Sequence, residues 1–117
     1  MKYQHLTPVT DAEVSKGVRA LKQGPLTRHD LERIFGSDRR GRQIMAVLTT
    51  REIAPVVVTE DNLRGRVYKL AATQEEVDAE VRVLRSRAHQ LLRRAEGLEV
   101  AWESGVNVPQ ESLFEAV

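Results

Sequence analysis

Between Val77 and Trp102 the apolar residues Val77, Val81, Leu84, Ala88, Leu91, Ala95, Leu98 and Trp102 follow one another at spacings of 4, 3, 4, 3, 4, 3 and 4. Steps of three and four bring side chains onto one side of an α-helix, whereas a strand needs steps of two, so this stretch is predicted to be one long helix with a heptad seam. Thr73, with Glu76 three residues on, supplies a capping box to open it. A helix of about 30 residues extends about 45 Å at 1.5 Å per residue. Its end falls either at Gly97, where glycine costs roughly 1 kcal/mol relative to alanine, or at Ser104-Gly105.

A rod of that length cannot cover its whole seam with a small head, so the eight seam residues are expected to form a dimerisation surface. Setting Val81 at a places Val77, Leu84, Leu91 and Leu98 at d, the choice that favours two strands, diluted by Ala88 and Ala95. In a parallel pair Glu80 faces Arg85 and Arg94 faces Glu99. The alanines also suit close antiparallel packing, and both orientations stay open. Trp102 ends the seam as a packing residue or as an anchor for a partner, while His89 lies at b and points to solvent.

The front of the chain shows a different grammar. Thr10 and Glu13 form a capping box, Val9 and Val14 a hydrophobic staple, and Val14, Val18 and Leu21 one apolar stripe, giving a helix over 11–23 that Gly24-Pro25 stops. Thr27 with Asp30 opens a second, short helix, with Leu31, Ile34 and Phe35 as its buried stripe and Gly36 as its end. Ser37 caps a third helix that runs from Asp38 through Leu48. On it Gly41, Ile44, Val47 and Leu48 share an inward side, and Arg39, Arg42, Gln43, Ala46 and Thr49 the opposite one. Arginine pairs bidentately with guanine and glutamine with adenine, and an alanine methyl touches thymine, so this outward face has the chemistry of base reading.

From Ile53 the period changes. Residues 53–59 are β-branched and read as a strand, with Pro55 confining its start to an edge; Arg66-Val67-Tyr68-Lys69-Leu70 is a second alternating strand. Glu60 to Gly65 is a hairpin loop longer than two residues, with Arg64 and Arg66 near its tip. Charge divides along the same line: residues 1–72 carry 13 Lys/Arg against 8 Asp/Glu, a net of +5, and residues 73–117 carry 5 against 9, a net of −4. The front half thus suits a polyanion.

Helix, glycine-proline break, short helix, glycine turn, basic helix and arginine-tipped hairpin together resemble the winged helix-turn-helix family over about residues 10–72. Gly24-Pro25-Leu26-Thr27-Arg28-His29-Asp30-Leu31 looks like the family's short first strand entering its second helix. The resemblance implies that 37–49 is the recognition helix and 60–66 the wing. Aligning Gly36 with the turn glycine of the strict helix-turn-helix puts Ser37 and Arg42 where apolar residues belong; a turn about two residues longer restores Ile44 and Val47 to the core. A long C-terminal dimerisation helix behind such a head is similar to replication terminator proteins and PadR-like regulators.

The expected fold class is therefore mainly α with a small β-hairpin: a winged helix-turn-helix head (1–72), a long coiled-coil helix (73–105) and a C-terminal tail (106–117). The expected function is that of a homodimeric, site-specific binder of double-stranded DNA, a transcriptional regulator with Arg39, Arg40, Arg42, Gln43, Thr49, Arg64 and Arg66 as its DNA-binding residues. The alternative uses the head as a protein-docking module, such as a small phage-type inhibitor of a polymerase or nuclease; a net charge of +1 keeps it open.

Other classes fit poorly. The chain has no cysteine, which removes disulfides, thiolate zinc sites and thiol nucleophiles. His5, His29 and His89 are too scattered for a metal site, no glycine-rich phosphate loop occurs, and Ser86, Ser104 and Ser112 lack a histidine and acid partner in a recognisable arrangement. Neither an enzyme nor a cofactor is expected. No run approaches the roughly 20 apolar residues of a bilayer span and the start MKYQHLTPV is not of secretory type, so a cytoplasmic protein without a membrane partner is expected.

Overall fold

The computed structural model describes residues 7–105, and the tail over 106–117 lies outside the described residues. The elements run α1 (Asp11–Gln23), α2 (Arg28–Phe35), α3 (Asp38–Thr50), β1 (Val56–Asp61), β2 (Gly65–Leu70) and α4 (Gln74–Glu103). The fold is mainly α with one small antiparallel hairpin and a long C-terminal helix, a shape compatible with a helix-turn-helix and its wing.

Each short helix starts where a side chain satisfies an orphan backbone donor. Thr10 Oγ1 accepts from Glu13 N at 3.2 Å while Glu13 Oε1 accepts from Thr10 N at 3.0 Å; Thr27 and Asp30 repeat the exchange at 3.1 and 2.9 Å. Ser37 Oγ accepts from Arg40 N at 3.1 Å to open α3. Between α2 and α3 stand only Gly36 and Ser37, and Gly36 adopts the left-handed conformation, at φ 88°, that ends α2.

The head's core lies where α1, α2 and the hairpin meet α3. Leu31, Ile44, Met45 and Leu48 are sealed from solvent, with Val9, Leu21, Leu26 and Val56 around them. α3 differs here from its predicted inward side: Met45 is buried and Val47 only half-buried. Two neighbours set this rotation. α1 approaches over Gly17, whose Cα faces Ile44, Leu48 and Met45, and α2 lies against Gly41, where an added Cβ would stand 2.6 Å from Leu31 Cβ.

The first strand begins at Val56, not at Ile53. After α3 the chain turns through Glu52, at φ 60°, and the Leu48 carbonyl accepts from both Ile53 N and Ala54 N, at 2.8 and 3.2 Å. Those residues thereby complete the helix end, and Ile53 is left exposed. The hairpin loop is also tighter than expected: the ladder runs from Val56↔Leu70 to Asp61↔Gly65, leaving three loop residues. Asp61 Oδ1 accepts from Leu63 N and Arg64 N at 2.8 and 3.1 Å, and Gly65 takes φ 78°. Leu26 joins Tyr68 through reciprocal N–H···O bonds of 2.8 Å, the short strand pairing expected ahead of the second helix.

α4 runs unbroken through Gly97 and stops at Gly105, at φ 70°. Glu76 departs from the reciprocal cap: Thr73 Oγ1 accepts from Glu76 N, but the Glu76 carboxylate takes Ala72 N at 2.7 Å and Lys69 Nζ at 2.7 Å. The first two turns of α4 belong to a compact unit ending at Glu80, and residues 81 onward form a second unit. No residue of α4 is buried, and of the seam Leu84 is 47% and Trp102 82% exposed. No helix of the described residues is long and apolar enough to cross a membrane.

Gly41→Ala tests the helix crossing. Alanine is the better helix former by about 1 kcal/mol, yet its methyl must displace Leu31, and overpacking of this kind costs about 1 to 3 kcal/mol. Urea denaturation is expected to show a lower midpoint than wild type; an unchanged or higher midpoint would mean that α2 and α3 do not touch here.

Candidate nucleic-acid interface

The outward side of α3 keeps Arg39, Arg42 and Ala46 exposed. Arg39 has no ionic partner among the described residues, and Arg42 Nε lies 3.3 Å from Asp38 Oδ1, one helical turn back.

Arg40 and Gln43 are turned to internal work, which corrects their expected place on the contact face. The Arg40 guanidinium meets the Glu13 carboxylate edge to edge, Nε to Oε2 at 2.8 Å and Nη2 to Oε1 at 2.7 Å. It also donates to the carbonyls of Thr7 and Pro8, at 2.6 and 3.1 Å, and to Gln43 Oε1 at 2.8 Å. Its side chain is 17% exposed. Gln43 Nε2 reaches Thr7 O at 3.4 Å. The physical reason is the segment ahead of α1: its carbonyls and the capping carboxylate form an anionic notch against the first turns of α3, and a five-donor guanidinium fills it.

Thr49 is likewise occupied. Its residue is exposed, but its hydroxyl accepts from Val56 N and donates to Ala54 O, both at 3.3 Å, tying the end of α3 to the start of β1. It fastens the helix to the hairpin.

Arg28, the first residue of α2, adds to the surface and was not among the expected residues. Its Nη2 and Nε donate to Asp38 Oδ2 at 2.7 and 3.2 Å, so Asp38 stands between two arginines on neighbouring helices. Hydrogen bonding from Arg28, then the charge of Arg42, holds the Asp38 carboxyl below the usual carboxylate range. Asp38 Oδ1 is itself buried without an aligned donor.

At the hairpin tip Arg64 reaches back, with Nη1 3.4 Å from Pro25 O and Nη2 3.6 Å from Asp61 Oδ2. Arg66 is exposed, opposite Glu60 in the register. Between the two strands Leu63 is 95% exposed in the loop that Asp61 fixes. Sequence patterning gave no weight to a lone leucine in a polar loop.

No known protein family, curated protein or solved structure matches the chain. Among the described residues no three His, Asp or Glu side chains gather as a metal site.

The Arg40–Glu13 contact has a pH signature. The hydrogen bond from Arg40, then that from the Thr10 backbone, lowers the Glu13 pKa to about 2. A carboxyl depressed in the folded state stabilises it above the unfolded pKa, near 4.5, and loses that contribution as pH falls toward 2. Glu13→Gln is expected to lower unfolding free energy by roughly 2 kcal/mol at neutral pH. Denaturation at a series of pH values is expected to show this gap shrinking below pH ~4.5 and nearly closed by pH ~2; a gap independent of pH would refute the assignment.

Proposed function

We propose that residues 1–72 form a winged helix-turn-helix head, and that the protein is a homodimeric, site-specific binder of double-stranded DNA, a transcriptional regulator acting in the cytoplasm. The observation that carries this reading is the pair Arg39 and Arg42, left exposed on α3 after Arg40, Gln43 and Thr49 are spent inside the head. α3 enters the major groove, where Arg39 and Arg42 meet base edges or phosphates. Arg28 meets the backbone from the start of α2, and Arg64 and Arg66 from the hairpin. Arg40 supports the reading only indirectly, as the brace that orients α3.

The seam of α4, half-buried at Val77 and Val81 and exposed from Leu84 to Trp102, supports pairing of two copies. A two-fold dimer then takes a pseudo-palindromic site with half-sites about 10 bp or a multiple of that apart. A second reading has its own observation: Leu63, fully presented at a rigid tip, suits docking of the head on a protein such as a polymerase or nuclease.

Titration against random and library-selected duplexes at several salt concentrations tests the proposal. Arg42→Ala is expected to weaken the selected site by about 1 to 3 kcal/mol and to relax preference at one base pair, whereas Arg64→Ala weakens all duplexes alike and flattens the salt dependence. Loss of salt-sensitive binding altogether would leave the docking reading in its place.

Light scattering tests the pairing separately. Wild type is expected at twice the chain mass and Leu91→Asp at the monomer mass, because a carboxylate at d faces desolvation in the seam. A monomeric wild type would reject the dimer.

A further inference from the structure

α1 and α2 each pack on α3 but touch one another little. Between them opens a cleft of about 670 Å³, lined also by Gly24, Pro25, Leu26 and Arg64. No residue of α3 lines it. We infer that this cleft binds a small organic polyphosphate.

The walls carry an excess of positive charge that the head neutralises only in part, through Arg33 with Asp30 and Arg64 with Asp61. Lys16 and Arg19 come from α1, Arg33 from α2 and Arg64 from the hairpin loop, against a single carboxylate, Asp30. Asp30 is already engaged: Oδ2 accepts from Thr27 N at 2.9 Å, and Oδ1 lies 3.4 Å from Arg33 Nη2. Lys16 and Arg19 have no ionic partner among the described residues, Lys16 Nζ instead lying 5.8 Å from the Phe35 ring centroid. Four cations gathered around one concavity repel each other, and a low-dielectric floor sharpens their field. The contacts the fold does draw from them are long, Arg33 to Asp30 at 3.4 Å, Arg64 to Pro25 O at 3.4 Å and to Asp61 at 3.6 Å, and none of the four side chains packs in the core. A multivalent anion relieves the repulsion.

Phosphate is the anion that three guanidinium groups suit, because each presents paired donors to its oxygens. Leu26 and Ile34 give the floor an apolar patch on which an organic body can rest. The volume falls within the roughly 300 to 1,000 Å³ of small-molecule sites. Arg64 lines both this cleft and the hairpin tip. Under the DNA-binding proposal, a bound polyphosphate therefore draws Arg64 away from the duplex and weakens DNA binding; the binding of the polyphosphate itself does not rest on that proposal.

Phosphate groups also line a DNA backbone, and the test separates the two sources. The probe is inorganic triphosphate, titrated calorimetrically into the full chain. The comparison proteins are Arg19→Gln/Arg33→Gln, checked for an unchanged thermal midpoint, and Arg39→Ala/Arg42→Ala. Expected is saturable binding of one triphosphate per chain, about tenfold weaker or more in the cleft variant and unchanged in the α3 variant. Triphosphate is also expected to reduce duplex affinity of wild type and not of the cleft variant. Absence of saturable binding, or equal losses in both variants, would overturn the inference. So would a cleft variant that loses duplex binding yet keeps triphosphate. A chain that binds triphosphate in the cleft and no duplex at all would uphold the cleft and remove the DNA reading alone.

Discussion

The contact of Leu31 with Gly41 governs the head. α3 comes close to α2 because residue 41 has no side chain to hold them apart, and an added Cβ would stand 2.6 Å from Leu31 Cβ. That closeness turns Ile44, Met45 and Leu48 onto the core, and by the 100° step of a helix it turns Arg39 and Arg42 away from it. A glycine inside a helix ordinarily weakens it by about 1 kcal/mol relative to alanine. Here the loss is local and the gain is a buried leucine on one side and a fixed helix rotation on the other.

Around that crossing, polar contacts fix what apolar packing leaves free. Arg40 joins α3 to the capping carboxylate of α1 and to the chain ahead of it, so one guanidinium spans two helices and an irregular segment. Thr49 joins the far end of α3 to β1. The two residues stand on opposite sides of the helix, and both are consumed by the fold. The surface left for a partner is smaller than the helix's composition suggests, and it is completed from α2 by Arg28.

The local signals in the sequence were strong where they concerned backbone donors and periodicity. Thr10, Thr27 and Ser37 open the three short helices as their chemistry requires, and the heptad spacing carries α4 across Gly97 to the glycine that stops it. Boundaries set by tertiary hydrogen bonds were not legible: Ile53 and Ala54 look like strand residues, but the Leu48 carbonyl holds both at the helix end. The same limit applied to the surface. A helical wheel places Gln43 outward because it knows nothing of the Thr7 carbonyl, and it cannot distinguish Arg39, which is unpaired among the described residues, from Arg40, which is saturated. Arg28 and Asp38, ten residues apart in the chain, become partners only once two helices have met.

Asp38 gives the exposed arginines a resident counter-ion. Arg28 and Arg42 both meet one carboxylate, at 2.7 and 3.3 Å, and its Oδ1 has no aligned donor of its own. An anion that binds Arg28 or Arg42 must exchange with that carboxylate, so the enthalpy of the new ionic contact is partly offset by the one given up. Charge alone therefore gains little at these two arginines, and shape or hydrogen-bond complementarity counts for more there than the number of basic residues suggests.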